Sequence, residues 1–266
     1  MDAAAAAGRH PTKDEIVRNW LPRYTGMRLE EFGEWILLTN FQSYLEQFAI
    51  WHDVPVSGLG LPMPSATADG ITIINYGMGS SNAATVMDLL TAVDPHGVLF
   101  LGKCGGVKKS TQVGDFILPI GAIRGEGTAS AYMPPEVPAL PSFKMHQLVA
   151  GVIADHDLEV RTGVIYTTNR RVWEFDDAFR TYLRTVRAIG VDMETATIFV
   201  VGHANRIPRG ALLLVSDVPM LPEGVKTEAS DREVNRAFAE RHLRIGIESI
   251  RHIRDSGGRV KHFQHE

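Results

Sequence analysis

Three short apolar runs at residues 71–76, 97–101 and 211–215 constrain the fold more than any other feature of the chain. Each is strand-sized, and each is continuously apolar rather than alternating, the pattern of strands buried on both faces. Between them lie segments of helical character at 82–93, 176–187 and 194–205. A long polar-rich helix begins near Asp231, where Leu243, Ile247 and Ile250 share one face. Further strands are read at 35–39, 115–120, 164–167 and 189–191. Strands alternating with helices place the chain in the α/β class, as a central, mostly parallel, twisted mixed sheet flanked by helices.

Toward the N-terminus, Thr12-Lys13-Asp14-Glu15 is a capping box that opens a helix running to about Leu21 and stopped by Pro22. Asn40 caps a second helix carrying Tyr44, Phe48 and Trp51. The Pro- and Gly-rich stretch 54–70 reads as a connection, and 133–138 as a loop inside the domain. No repeat or long linker divides the chain. Its 266 residues form one folded domain over 12–256, with a frayed terminus over 1–11 and a tail over 257–266.

Charge and cysteine content then narrow the function classes. The 27 Lys+Arg against 31 Asp+Glu leave −4, without the basic footprint of a nucleic-acid binder. A single cysteine, Cys104, excludes a disulfide framework and a Cys-rich zinc site, and fits a reducing compartment. The alanine-rich start lacks the features of a secretory signal, and no apolar run reaches the ~18 residues of a membrane span. The expectation is a cytoplasmic protein with no membrane or nucleic-acid partner. Ten histidines without an HExxH pair make a metal site unexpected.

Two glycine motifs mislead. Gly97 to Cys104 matches seven positions of a phosphate-binding loop, but the residues between its glycines are Val-Leu-Phe-Leu, a buried strand, and Cys104 stands where Ser or Thr should bind magnesium. Gly77-Met78-Gly79 follows a strand and precedes a helix, yet Asn82 occupies the third glycine position of a dinucleotide fingerprint, so no nicotinamide or other cofactor is expected. What remains is a turn at Gly79 whose backbone amides can approach an anion or sugar, or which serves as a tight turn only. Cys104, placed in a Gly-rich turn without an identifiable base, reads as packing rather than as a nucleophile.

The acids carry more information. Asp192-Met193-Glu194 ends a strand and starts a helix, and Ser216-Asp217 ends the apolar strand before it. Carboxylates at the carboxyl ends of parallel strands lie where open α/β sheets place their ligand crevice. An acid beside apolar strand ends can hold its proton and act as a general acid. Glu194 as a helix-dipole carboxylate and Asp217 as a turn residue before Pro219 are equally compatible with the spacing. Lys103, Arg124, Arg170, Arg171 and Lys226 lie near the same turns, where arginines suit bidentate phosphate recognition.

Together these segments resemble the nucleoside phosphorylase and nucleosidase superfamily, and within it the AMP nucleosidases. The anchors are Asn75-Tyr76-Gly77-Met78-Gly79, Phe100 to Val107, Arg124-Gly125-Glu126-Gly127-Thr128, Val191-Asp192-Met193-Glu194-Thr195-Ala196 and Ser216-Asp217. Residues 166–174 and 118–137 are similar to AMP nucleosidases more narrowly. The resemblance implies that Glu194 bonds the ribose 2′ and 3′ hydroxyls, that Met193 packs under the sugar, and that Asp217 protonates purine N7 as the base leaves. It makes the 12–256 domain the catalytic unit and the protein a homo-oligomer. It also implies a phosphorylated small-molecule substrate, AMP, with Lys103, Arg124, Arg170 and Arg171 as the candidate 5′-phosphate cluster. Tyr166 and Trp173 are base or sugar contacts, or core.

Phosphorolytic relatives carry a Gly-Asp segment and an arginine that hold inorganic phosphate, where this chain reads Thr39-Asn40-Phe41-Gln42-Ser43-Tyr44. Their arginine and serine around the Gly-rich strand are replaced by Phe100 and Lys103. Water is therefore the expected attacker, giving AMP + water → adenine + ribose 5-phosphate. Longer AMP nucleosidases add an N-terminal regulatory region, and only a short segment precedes Trp35 here, so regulation of that kind is not expected. A nucleosidase or phosphorylase acting on adenosine or methylthioadenosine, and a non-catalytic nucleotide sensor, are the alternatives.

Overall fold

The computed structural model describes residues 9–156 and 158–257, so most of the segments read as frayed terminus and tail lies outside the described residues. The elements run α1 (Lys13–Thr25), β1 (Trp35–Thr39), α2 (Gln42–His52), β2 (Ser65–Ala68), β3 (Ile71–Asn75), α3 (Ser80–Leu89), β4 (Gly97–Gly106) and β5 (Phe116–Gly125). They continue with α4 (Phe143–Asp155), β6 (Val160–Thr168), α5 (Asp177–Thr185), β7 (Gly190–Asp192), α6 (Thr195–Ala204), β8 (Arg209–Asp217), α7 (Glu228–Val234) and α8 (Glu240–Asp255). No helix among the described residues is long and apolar enough to cross a membrane.

The strands form one sheet in the order β2-β3-β1-β4-β7-β6-β5-β8, and β8 pairs back onto β4. Strands β4, β7, β6, β5 and β8 therefore close into a ring, while β1, β3 and β2 extend from it. The β1–β3, β1–β4, β4–β8, β5–β6 and β6–β7 pairs are parallel, and β2–β3, β4–β7 and β5–β8 are antiparallel.

The continuous apolar runs have a physical explanation in this sheet. Successive strand side chains point to opposite faces, and here both faces are covered. Val98, Phe100, Leu213 and Val215 pack with residues of α1, α3 and α6, whereas Leu99, Leu101, Leu212 and Leu214 pack with residues of α2, α4 and α8. A third, smaller cluster joins Tyr166, Trp173, Leu183 and Val191 beneath α5.

Several local expectations are corrected. Pro22 lies inside α1, which ends instead at Gly26 in the left-handed region. The backbone N–H that proline lacks would have bonded the carbonyl of Arg18, an exposed residue, so the last turn survives. Asn40 does not cap α2, whose N-cap is Phe41; its side chain turns toward the strand ends instead. The connection at 54–70 contains β2, which pairs with β3. Strand β4 extends through Cys104, so that residue is a buried strand position and not part of a turn. Helix α4 was not anticipated, although Met145, Val149, Val152 and Ile153 form its buried stripe. The C-terminal helix is divided into α7, a π-helical turn at Asn235–Ala239, and α8.

Candidate active site

The carboxyl ends of β4, β6, β7 and β8 open into a cavity of about 340 Å³. Into it converge Asn40 and Phe41 from the end of β1, Lys103 from β4, Glu194 and Asp217, and Lys226 and Asp231 from the segment after β8. Arg170, Arg171, Trp173 and Glu174 line it from the loop after β6. A larger surface hollow beside α2, around Ala49, Asp53 and Val54, gathers no comparable set of ionisable groups. Among the described residues no three His, Cys, Asp or Glu side chains are grouped as metal ligands.

Glu194 stands at the N-cap of α6 without capping it. Its carboxylate turns back to accept the Gly79 N–H at 2.7 Å and the Met193 N–H at 3.2 Å, and Asn40 lies close enough to favour its ionised form. Gly79 offers that N–H from φ +97°, a conformation side-chain-bearing residues rarely adopt. Ser80 donates its hydroxyl to the Met193 carbonyl at 2.6 Å, tying the same turn to the Met-Glu pair. Burial raises the Glu194 carboxyl above the usual carboxylate range, and the charge of Asp192 adds to the rise.

Asp192 lines the cavity, but its oxygens are already occupied. It accepts the Thr167 hydroxyl at 2.6 Å, the Thr195 hydroxyl at 2.5 Å, and the N–H groups of Thr195 and Glu194 at 2.7 and 3.3 Å. Burial raises its carboxyl above the usual range as well, opposed by these four donors, which favour its ionised form. Its geometry is that of an anchor holding β6, β7 and the start of α6 together. Asp192→Ala is expected to cost about 2–4 kcal/mol of stability by stranding these buried donors. Urea unfolding checks it, and a loss below about 1 kcal/mol would mean the anchor is not needed.

Asp217 ends β8 and is mostly buried. Burial raises its carboxyl above the usual range, opposed by a 2.7 Å hydrogen bond from the Ser216 hydroxyl and by Lys226, whose Nζ lies 3.9 Å away. Lys103 is more deeply buried, its side chain only 2% exposed. Its ammonium donates to Asn235 Oδ1 at 2.6 Å and sits 4.1 Å from the Phe41 ring centroid. Burial lowers its pKa to about 8, with the Asp231 carboxylate opposing the fall.

The other expected contacts divide. Arg170 and Arg171 reach the cavity, the first paired with Asp176 at 2.9 Å and the second with Glu174 at 3.5 Å. Trp173 also lines it, with its ring against Phe179. Tyr166 does not; its ring packs edge-on against Phe179 and Tyr182 in the cluster under α5. Arg124 is also absent from the lining. Its guanidinium is spent on the carbonyls of Met133, Pro134 and Val137, at 2.7, 2.6 and 2.9 Å, and so fixes the proline-rich loop. Arg124→Ala should therefore loosen that loop and leave the preference for AMP over adenosine unchanged. A selective loss of AMP activity in a substrate comparison would return Arg124 to the phosphate site.

Sequence reasoning missed Asn40, Phe41, Glu174 and Asp231 as lining residues. Asn40 and Phe41 lie in the stretch at 39–44 that departs from phosphate-holding relatives, and Glu174 ends the 166–174 segment similar to AMP nucleosidases; Asp231 carries no such signal.

The family model of the phosphorylase superfamily matches residues 63–251. The chain is 51% identical to the AMP nucleosidase of Bacteroides thetaiotaomicron VPI-5482, whose crystal structure superposes with a TM-score of 0.84, covering 92% of this chain and 99% of that one. It is 32% identical to the AMP nucleosidase of Escherichia coli K12 over 90% of its own length, and spans 59% of the length of that relative. Uridine phosphorylase from Vibrio fischeri, 18% identical with a TM-score of 0.74, covers 85% of this chain and 93% of its own and shares the fold. The chain belongs to the phosphorylase superfamily and is a homologue of the AMP nucleosidases.

Proposed function

We propose that the chain hydrolyses the N-glycosidic bond of AMP, releasing adenine and ribose 5-phosphate. The observation that carries this reading is a pair of carboxyls, the buried Glu194 and the mostly buried Asp217, facing one cavity that also contains a buried lysine. Breaking the bond builds positive charge on the ribose and negative charge on the purine. Glu194, bonded to the sugar hydroxyls, answers the first, because hydroxyl donors favour its ionised form, the anion the oxocarbenium ion needs. Asp217, whose carboxyl burial raises above the usual range, answers the second as the proton donor at purine N7.

Support for AMP rather than a nucleoside comes from the cationic side of the cavity, where Lys103, Arg170, Arg171 and Lys226 can receive a phosphate, and from what the two similar AMP nucleosidases are named for. Incubation with AMP, adenosine, methylthioadenosine and inosine, with and without inorganic phosphate, tests the reading by following free base. Adenine release from AMP without phosphate is expected. Release only in the presence of phosphate would make the enzyme a phosphorylase, faster release from adenosine would make it a nucleosidase, and binding without turnover would make it a sensor.

A further inference from the structure

We propose that Asp231 is a built-in stand-in for a phosphate dianion: its carboxylate holds an anion site between Lys103 and Lys226, and a phosphate group takes the site by displacing it. Two ammonium groups converge on one oxygen here. Lys226 Nζ lies 3.4 Å and Lys103 Nζ 3.6 Å from Asp231 Oδ1. Neither contact is a hydrogen bond, and that oxygen is buried without a hydrogen-bond partner. The carboxylate balances the charge of the lysines without satisfying their donors.

A phosphate suits the same place better. It brings three acceptor oxygens and up to two negative charges, enough to bond both ammonium groups at once. The site is also built at a cost that structure alone does not explain. Lys103 is almost fully buried, and a lone buried ammonium is strongly disfavoured. Its one short hydrogen bond goes to the neutral Asn235, which in turn donates to Asp231 Oδ2 at 3.4 Å. The other charged group facing the pair is Asp217, 3.9 Å from Lys226.

The element carrying Asp231 can yield. Helix α7 has seven residues and is followed at once by the π-helical turn at Asn235–Ala239. Such turns interrupt the α-helical hydrogen-bond ladder and recur at functional sites. Asp231 and Asn235 sit on either side of that junction, so a small shift would withdraw the carboxylate while Asn235 stays on Lys103.

The displacing phosphate could be the substrate's own or a free ion, and one set of measurements separates them. Binding of inorganic phosphate is measured by calorimetry near pH 7, below the value of about 8 to which burial lowers Lys103. The proteins are the unaltered chain, Asp231→Asn, Asp231→Ala, Asp231→Glu and Lys103→Met, each checked for an unchanged melting profile. Removing the competing charge should tighten phosphate binding about tenfold in the Asn and Ala variants, while Glu stays near the parent value. Lys103→Met should lose binding.

If KM for AMP falls in the same proportion and that for adenosine does not, the site takes the substrate's phosphate. If inorganic phosphate instead becomes a tighter inhibitor of both cleavages alike, the site takes the free ion. The AMP comparison rests on the proposed hydrolysis. Failure of the parent chain to release adenine from AMP would sink that reading, while the calorimetry would still decide the role of Asp231. Phosphate affinity that is unchanged or weakened in Asp231→Asn and Asp231→Ala, or no millimolar binding to the parent and these variants, overturns the proposal.

Discussion

Replacing Asp217 with Asn should lower turnover of AMP by about 10²-fold or more, the scale on which loss of a positioned general acid is felt. The substitution keeps the side chain's size and its hydrogen bond with Ser216, so folding should be intact. What disappears is an ionisable proton facing the leaving base. The pH profile offers a second check. The Asp217 carboxyl is raised above its usual range by burial, and the proposed mechanism uses its protonated form, so turnover should fall as pH rises through that raised value. The Asn variant has no such proton to lose and should lack this alkaline limb. Near-normal turnover in Asp217→Asn would remove the residue from the mechanism.

Glu194→Gln should be at least as damaging, with kcat reduced by about 10²–10³-fold. The amide can still accept the 2.7 Å bond from Gly79, so the turn at 77–79 keeps its anchor. It cannot supply a negative charge beneath the developing oxocarbenium ion. Because the proposed interaction acts through the sugar hydroxyls, the variant should also lose most of the discrimination between AMP and its 2′-deoxy analogue. A variant that is slow yet still rejects the deoxy substrate would show that the hydroxyls are read elsewhere.

The sheet was legible because its physics is local: a strand covered on both faces needs apolar side chains at every position, and 97–101 and 211–215 satisfy that unaided. The closure of β8 onto β4 was not legible, since backbone pairing between distant strands leaves no mark on residue type. Glu194 and Asp217 could be named from their places at strand ends, and the structure brings both to one cavity. Basic residues behaved differently. Arg124 and Arg171 each follow a strand in loops of similar composition, but one is consumed by three carbonyls and the other reaches the cavity. That choice is made by tertiary packing. Asp231 was read as the mere beginning of an amphipathic helix, because helical periodicity says nothing about which lysines the solvent-side face will meet.

The bond between Gly79 and Glu194 spans 115 residues of chain. Asn40, still earlier, completes the same environment. Closing so long a loop must precede any gain from the contacts it permits, which makes such pairings slow to form in a folding chain. Glu194 therefore acquires these partners only when the turn after β3 and the end of β1 have met the segment after β7. In the proposed mechanism, a nascent fragment lacking β7 and α6 has no acid to hold the sugar, so competence arrives late in synthesis, with the meeting of distant parts of the chain.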